Sequence, residues 1–317
     1  MSGAGLMMTP AASSSRALKA DLLLLTTACI WGLAFVAQRV GMEHVGPFLF
    51  NGVRFALGAV ALLPLAVAVK TRAAPGLSHA GSRALPWWGM LAAGTALTLG
   101  ASLQQIGLQD TTAGKAGFIT GLYVILVPFF GAFVGRRTPV GTWAGAAMAV
   151  AGMYFLCITE DFTISPGDLL ELIGAVFWAG HVLIAAWFAP RMNPLRLAVG
   201  QYAVCSVTSL IIALCMENVE WSGIRAAAVP IAYGGLLSVG LAYTLQLVAQ
   251  RDAPPSHAAI ILSLEAVFAA LAGWLLLSET LALRGLAGCA LMMGGMLLSE
   301  LWPWLRAWPG RRMARQA

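Results

Sequence analysis

The segment Asp21-Leu-Leu-Leu-Leu-Thr-Thr-Ala-Cys-Ile-Trp31 is repeated in altered form as Asp168-Leu-Leu-Glu-Leu-Ile-Gly-Ala-Val-Phe-Trp178. Six of thirteen positions are identical between 21–33 and 168–180, and the offset is 147 residues at both Asp and Trp. A second matching pair, Ala144–Met153 and Ala287–Met296, follows at an offset of 143 residues. Similar offsets in a constant order indicate an internal repeat, so two related halves are predicted.

The composition around this repeat is that of a membrane protein. Of 317 residues, 59% are hydrophobic and 10% are charged, against roughly 25% charged in a typical soluble domain. A helix needs about 20 residues to cross a bilayer, and apolar runs of that length favour helices over a β-barrel. Ten such runs are predicted: 22–41, 47–69, 87–109, 116–135, 141–159, 168–188, 195–215, 227–250, 256–277 and 283–302.

Ten runs in two related halves give five helices per half. Because five is odd, the second half enters the membrane from the opposite side, which is an inverted-topology repeat. The predicted fold is therefore an all-α membrane protein with ten transmembrane helices in two five-helix inverted repeats. The predicted divisions are an N-terminal tail (1–20), a first repeat (21–160), a second repeat (168–302) and a basic C-terminal tail (303–317).

The positive charges predict the orientation of this fold. With the N-terminus in the cytoplasm, fourteen Lys and Arg residues fall in inside segments and four in outside segments, while Arg54 lies within a run. Cytoplasmic segments are enriched in these residues. The net charge of +6 is thus interpreted as a topology signal and not as a nucleic-acid surface. A multi-pass plasma or inner membrane protein with both termini in the cytoplasm is predicted.

Signals for several other kinds of chemistry are missing from the sequence. The five cysteines all fall inside hydrophobic runs without CxxC spacing, which is typical of small packing residues and not of a metal centre or disulfide framework. There is no Walker A, HExxH or dinucleotide-binding sequence. The expectation is therefore no cofactor and no bound metal.

Two longer stretches are similar to a known family. They are Ala258-Ala-Ile-Ile-Leu-Ser-Leu-Glu265-Ala-Val-Phe-Ala-Ala-Leu followed by Ser278-Glu279-Thr280, and Ala113-Gly-Lys-Ala-Gly-Phe-Ile-Thr-Gly-Leu-Tyr-Val-Ile-Leu-Val-Pro128 followed by Gly135-Arg-Arg-Thr-Pro139. With the five-plus-five pattern, they resemble the EamA family of the drug/metabolite transporter superfamily across roughly residues 20 to 302. Ala266 stands where that family commonly has proline, which leaves the helix geometry there open.

This resemblance implies a function. Secondary export or exchange of a small metabolite such as an amino acid, by alternating access, is expected, without enzymatic activity. The expected partners are the solute and the lipid bilayer, with proton coupling as a hypothesis. Two alternatives stay open, a non-transporting membrane binding or scaffold protein and an intramembrane enzyme using Glu265 and His181 as an acid and base pair. The sequence leaves the substrate, the direction, the coupling ion and the oligomeric state undetermined.

The ionisable residues inside the runs are the first candidates for a transport site, because a charge there costs about 2.5 to 3.5 kcal/mol on insertion scales. Glu265 lies near the middle of the ninth run, where it pairs with a cation, binds a substrate amine, carries a proton or forms a structural hydrogen bond. His181 either exchanges a proton or stays neutral in a structural role. Arg54 either snorkels to the interface, forms a structural ion pair or binds a substrate carboxylate.

Aromatic and amide side chains complete the predicted site. Trp31 and Trp178 occupy equivalent central positions in the two halves, where an indole can stack on a solute or close a gate. The remaining candidates face a cavity or form hydrogen bonds between helices, and they are Gln105, Tyr123, Tyr243 and Gln246.

Overall fold

The computed structural model describes residues 10–68, 86–157, 165–278 and 283–313. Within these ranges the chain is helical and contains no strand. Most of the predicted connection 70–86 and of the predicted boundary between the halves lies outside the described residues. The same is true of Lys70, Arg72, Arg83, Glu279, Thr280 and Arg315.

The first half contains six helical segments. They are α1 (Pro10–Gly41), α2 (Pro47–Ala68), α3 (Pro86–Gly107), α4 (Ala113–Gly121), α5 (Tyr123–Phe133) and α6 (Val140–Cys157). Several helices in both halves begin with proline, whose fixed φ and missing N–H suit the first helical position. Because α1 begins at Pro10, it includes part of the predicted N-terminal tail.

The second half is divided into more segments. They are α7 (Pro166–Phe188), α8 (Pro194–Met216), α9 (Trp221–Ala226), α10 (Ala228–Ala232), a π-helix (Tyr233–Tyr243), α11 (Thr244–Ala249), α12 (Pro255–Leu262), α13 (Glu265–Leu276) and α14 (Leu283–Met313). A capping box between Ser165 and Asp168 starts α7, and the Asn193 side chain caps α8. The helix α14 continues into the predicted C-terminal tail.

Several of these helices are suited to a bilayer. Seven described stretches are long and apolar enough to cross a membrane, namely Arg16–Gly41, Pro47–Ala68, Ala113–Phe133, Pro166–Phe188, Pro194–Met216, Ala228–Ala249 and Pro255–Leu276. Val140–Phe155 and Leu283–Ser299 are shorter apolar helices. The protein is therefore an all-helical integral membrane protein, while the count of ten spans stays a prediction.

Helix packing follows the repeat. The helix α2 packs against α8, and α6 packs against α14, so each of these pairs joins equivalent helices of the two halves. The helix α3 packs on α7 and α8, and correspondingly the π-helix packs on α1 and α2. Exchanging the halves thus preserves the pattern of helix contacts, as expected of two similar units related by an approximate twofold axis.

The close approach of α6 and α14 explains the second repeated segment of the sequence. A Cβ atom added to Gly145 would lie 2.5 Å from the Gly295 carbonyl oxygen, and one added to Gly295 would lie 2.5 Å from the Gly145 carbonyl oxygen. Both distances are far below van der Waals contact. Glycine at these positions allows the two backbones to touch, which is a common way for membrane helices to associate.

Both halves contain a helix that is broken at its centre. In the first half, α4 ends at Gly121 and α5 begins at Tyr123, with a tight turn from Leu122 N to Ile119 O (3.1 Å). In the second half, α12 ends at Leu262 and α13 begins at Glu265. The Ser263 hydroxyl donates to the Ile260 carbonyl oxygen at 2.7 Å, a contact that often bends helices. The break therefore forms with Ala266 at the position where the resemblance led us to expect proline.

The π-helix Tyr233–Tyr243 lies in the middle of the stretch Ala228–Ala249. Its carbonyl groups are reached from α1, where the Thr27 hydroxyl donates to Ala242 O at 3.2 Å and the Trp31 indole N–H donates to Ser238 O at 3.3 Å. Wider helical turns leave carbonyl groups available to such partners, and they are frequent at functional sites.

Candidate functional site

A buried cavity lies between the two halves. Its volume is about 30 Å³, which is room for a few water molecules, whereas small-molecule sites usually measure about 300 to 1,000 Å³. A metabolite therefore fits only after the surrounding helices move apart. The lining consists of Trp31, Ala34, Phe35, Gln38, Arg54, Gln104, Thr120, Tyr123, Trp178, His181, Val182, Ser238, Tyr243, Gln246, Leu262 and Glu265.

Eight of the nine residues predicted for the site line this cavity. The exception is Gln105, which is fully buried outside the lining and donates to the Gln38 carbonyl oxygen at 3.4 Å. Its neighbour Gln104 faces the cavity instead. Successive residues of a helix point about 100° apart, and the rotation of α3 turns Gln104 toward the cavity and Gln105 toward Gln38 on α1.

Aromatic rings from both halves surround Tyr243. Its ring centroid is 4.5 Å from that of Trp31 and 6.2 Å from that of Trp178, with Tyr243 and Trp178 nearly parallel at 18°. Phe55 lies at 6.2 Å and His181 at 5.9 Å from the same ring. The equivalent tryptophans of the two halves thus contact one tyrosine, and together they form an aromatic wall on which a flat or apolar part of a solute can pack.

Arg54 faces the cavity and does not snorkel to the membrane surface. Its side chain is 2% exposed and lies over the rings of Phe55 and Phe50, with Cζ at 5.0 Å and 5.5 Å from their centroids. The guanidinium Nε donates to Asn51 Oδ1 at 3.0 Å. Among the described residues no carboxylate pairs with it, and its Nη2 has no hydrogen-bond partner. A buried guanidinium with an unused donor is suited to bind a carboxylate.

The carboxyl group of Glu265 lines the same cavity as the Arg54 guanidinium, and its charge, when ionised, has the opposite sign. The side chain is 4% exposed, and the Tyr123 hydroxyl lies near its carboxyl group. Its Oε1 has no hydrogen-bond partner within the described part of the chain. Of the alternatives left open by the sequence, pairing with a described cation does not occur. A substrate amine, a proton and a structural hydrogen bond remain open for this carboxyl group.

His181 makes a structural contact as well as lining the cavity. Its Nε2 lies 2.9 Å from Gln201 Oε1, which requires the Gln201 amide oxygen to accept from a protonated Nε2. This contact holds the ring between Trp178 and Tyr243. Glu265 and His181 thus both face the cavity, while the ring nitrogen Nε2 is already engaged by an amide.

Amide side chains supply further hydrogen-bonding capacity. Both side-chain polar atoms of Gln246, and Oε1 of Gln38, are buried without partners in the described ranges. Unsatisfied buried amides are costly, typically about 1 to 3 kcal/mol, so water or a solute is expected to occupy the adjoining space. Sequence reasoning identified Gln246 but not Gln38.

A second buried carboxyl group was not identified from the sequence. Glu171 on α7 is fully buried, and its Oε2 accepts from the Thr120 hydroxyl at 2.9 Å. Thr120 in turn accepts from Gln104 Nε2 at 3.1 Å. The signal was present, since Glu171 is a carboxylate inside an apolar run, but its position near the start of that run also fits an exposed helix end.

Two ion pairs lie at equivalent places in the two halves. Lys115 Nζ is 2.5 Å from Asp168 Oδ2, and His257 Nε2 is 2.8 Å from Asp21 Oδ1. The second contact is an ion pair when the His257 imidazole is protonated and a hydrogen bond when it is neutral. Lys115 is the third residue of α4 and His257 is the third residue of α12. The two aspartates begin the repeated segments of the sequence. Each pair therefore connects the start of the broken helix in one half with the first helix of the other half.

The fold and this cavity define a polytopic helical membrane protein with a polar site between two related halves. The EamA-like transporter family matches the chain twice, over residues 18–158 and 165–301. The chain therefore belongs to the EamA-like transporter family and is a membrane transporter. The two matches also show that the EamA domain occurs twice in the chain, and they confirm the resemblance read from its motifs.

Relatives support the same conclusion. An uncharacterized transporter of Archaeoglobus fulgidus is 29% identical over 294 residues, which cover 92% of this chain and 88% of the relative. The uncharacterized inner membrane transporter YedA of Escherichia coli K12 is 24% identical, covering 80% and 81% of the two chains. A shorter match of 169 residues, 27% identical, covers 52% of this chain and 56% of the threonine/homoserine exporter RhtA of Salmonella typhimurium.

A solved structure gives the same fold. This crystal structure of a protein superposes with a TM-score of 0.74 at 21% sequence identity. The superposition covers 89% of this chain and 98% of that one. At this level of identity the likeness concerns the fold alone.

Proposed function

We propose that the protein is a secondary active transporter that exports or exchanges a small zwitterionic metabolite, such as an amino acid, by alternating access. The observation that carries this proposal is the presence of one buried guanidinium, Arg54, and one buried carboxyl group, Glu265, in the same cavity without a described ionic partner for either.

The chemistry of the cavity fits a zwitterion. An α-amino acid presents an ammonium group and a carboxylate, which complement Glu265 and Arg54 respectively. The amides of Gln38 and Gln246 provide further donors and acceptors, and the aromatic wall around Tyr243 covers the side chain of the solute. The shorter match to an exporter named for threonine and homoserine agrees with this class of solute.

The two ion pairs support alternating access. Successive membrane helices joined by short connections run antiparallel, so the start of α1 and the start of α7 lie at opposite ends of the bundle. Asp21–His257 and Lys115–Asp168 then close opposite ends, and opening one pair while keeping the other exposes the cavity to one side at a time. Topology is part of this proposal, with ten spans, both termini in the cytoplasm and location in the plasma or inner membrane.

Proton coupling through Glu265 is part of the same proposal. A carboxyl group without a cation is neutralised by a proton or by the substrate ammonium, so the two compete for one site. Competition of this kind exchanges protons for solute across the membrane.

The test uses the full chain purified and reconstituted in liposomes. Vesicles preloaded with one unlabelled amino acid are diluted into buffer with the same labelled amino acid, taking L-threonine and L-homoserine first and then a wider panel. Saturable counterflow that is absent from protein-free vesicles supports the proposal. If no solute of a broad amino-acid and metabolite panel moves in either direction, the proposal fails and a binding or scaffold role gains support.

A further inference from the structure

Glu171 is the second carboxyl group near the cavity, and the proposed function does not use it. It lies on α7 with no exposed surface, and its Oε2 accepts from the Thr120 hydroxyl at 2.9 Å. Thr120 and its donor Gln104 both line the cavity. A single hydrogen bond therefore separates the Glu171 carboxyl group from the space that the solute is proposed to occupy.

The other oxygen of Glu171 has no partner. Its Oε1 is buried without a hydrogen bond from any described residue. The ion pairs recorded in the described part of the chain are Lys115–Asp168 and His257–Asp21, so no described cation pairs with Glu171. A carboxylate held in this way has one hydroxyl donor for two oxygens, while a neutral carboxyl group would avoid the unpaired charge.

The charged and titratable groups around Glu171 also disfavour a permanent anion. Asp168 lies one turn earlier on the same helix, and Glu265 acts on Glu171 from α13. The Lys115 ammonium on α4 is bound to Asp168. The helix α3 presents the uncharged Gln104, and α5 contributes Tyr123 to the cavity. A negative charge on Asp168 or on Glu265 repels a negative charge on Glu171.

We propose that Glu171 is a second proton-binding site of the transporter, which exchanges a proton with the cavity and with Glu265 during the transport cycle. The step is a reversible proton transfer, in which the unpaired Oε1 of the carboxylate takes up a proton and the carboxylic acid later releases it. Asp168, in the first turn of α7, and Lys115, in the first turn of α4, mark the end of the bundle nearest to this site. The proposal rests on the proposed function, but its first test does not need a transported solute.

The first experiment measures the proton itself. Infrared difference spectra of the full chain in lipid, recorded as the pH is stepped in H2O and D2O, report the C=O stretch of protonated carboxyl groups. We expect one component of this band to be lost in Glu171→Gln, a second in Glu265→Gln, and both in the double variant. The exposed carboxyl group of Glu220 gives the matched control, and Glu220→Gln should keep both components.

A wild-type spectrum in Glu171→Gln would overturn the proposal, whatever the transport assay shows. Glutamine keeps the shape of the neutral acid and can accept from Thr120, so this variant is expected to fold. Thr120→Val is a second variant that leaves Glu171 in place and removes its hydroxyl donor. Its Glu171 component should disappear at a higher pH than in the wild type, because the hydroxyl no longer stabilises the carboxylate. An unchanged midpoint would contradict the proposal.

The second experiment measures coupling with labelled L-threonine as the probe, or with another amino acid that shows counterflow. In Glu171→Gln, the accumulation of labelled amino acid driven by a pH gradient should fall at least tenfold, while counterflow should be kept. A purely structural role predicts equal losses in both assays, or in neither, and either result would overturn the proposal. Absence of counterflow in the wild type as well would count against the proposed function alone, because the infrared result stands without it.

Discussion

Tyr123 and Glu265 occupy the same position in the two halves, since each is the first residue after the break of a broken helix and each lines the central cavity. The offset between them is 142 residues, close to the offsets of the repeated segments. The repeat thus places a hydroxyl group and a carboxyl group near one another from opposite halves. Two related halves that differ in side-chain chemistry can in this way form one asymmetric site from a nearly symmetric fold.

The first prediction concerns Glu265. Replacement by glutamine keeps the size of the side chain and removes the titrating group, so Glu265→Gln should abolish the dependence of amino-acid accumulation on a pH gradient while leaving counterflow measurable. Uptake into proteoliposomes with and without an imposed gradient checks this. Tyr123→Phe is the companion variant, which should keep the pH dependence because the carboxyl group remains. Unchanged pH dependence in Glu265→Gln would remove this residue from the coupling mechanism.

The second prediction concerns recognition of the solute carboxylate by Arg54. Hydrogen bonds to charged groups contribute about 1.5 to 3 kcal/mol, so Arg54→Gln should lower transport kcat/KM for L-threonine by at least about tenfold. The wild type should also discriminate against 1-aminopropan-2-ol, the analogue without the carboxylate, and Arg54→Gln should lose that discrimination.

A lysine at the same position separates charge from geometry. Arg54→Lys keeps the positive charge but replaces the planar guanidinium by one ammonium, so an intermediate loss is expected. Competition of the two unlabelled compounds against labelled L-threonine gives the measurement. Equal inhibition by unlabelled L-threonine and 1-aminopropan-2-ol in the wild type would show that Arg54 does not recognise the solute carboxylate.

The third prediction concerns the two ion pairs. Asp168→Asn removes the carboxylate that contacts Lys115 and Asp21→Asn removes the carboxylate that contacts His257, so each should favour opening at one end of the bundle. The reporter is Gln38→Cys, inside the cavity, in a variant whose five native cysteines are replaced by alanine. Labelling by a membrane-impermeant maleimide, applied to one side at a time, should rise from opposite sides in the two variants.

Glu220→Gln supplies the control for this labelling, since it changes an exposed carboxyl group far along the sequence from either ion pair. It should leave the labelling from both sides as in the parent. If Asp168→Asn and Asp21→Asn raise labelling from the same side, the ion pairs do not close opposite ends.

The fourth prediction concerns the contact of α6 with α14. An added Cβ at Gly145 would meet the Gly295 carbonyl oxygen at 2.5 Å, so Gly145→Ala should destabilise the protein by about 1 to 3 kcal/mol, the usual range for overpacking. Gly180→Ala is the matched control, because nothing lies within 4 Å of a Cβ added there. Thermal unfolding in detergent should show a lower midpoint for Gly145→Ala and no loss for Gly180→Ala. Equal midpoints would mean that the helices separate easily at Gly145.

Part of the site could be predicted because burial in a membrane is costly for particular side chains. Glu265, His181 and Arg54 stand out in apolar runs, and all three line the cavity. The equivalence of Trp31 and Trp178 follows from the repeat alone. Gln105 was assigned to the site from its helix, but the rotation of that helix depends on tertiary packing, and it turns Gln104 toward the cavity instead.

Other features depend on contacts between distant parts of the chain. The hydrogen bonds from Gln104 to Thr120 and from Thr120 to Glu171 join three helices, and no local sequence pattern predicts them. The same is true of His181 with Gln201 and of Asp21 with His257, which are 20 and 236 residues apart.

The sequence by itself determined the membrane environment, the helical secondary structure, the two related halves and the family, because these follow from the length of apolar runs, the spacing of repeats and local motifs. Only the tertiary structure decided which polar groups share the cavity, which carboxyl groups lack a partner and which ends are joined by ion pairs. Those properties depend on the rotation and separation of helices. Packing between distant segments sets both, and a pattern along one helix does not contain that information.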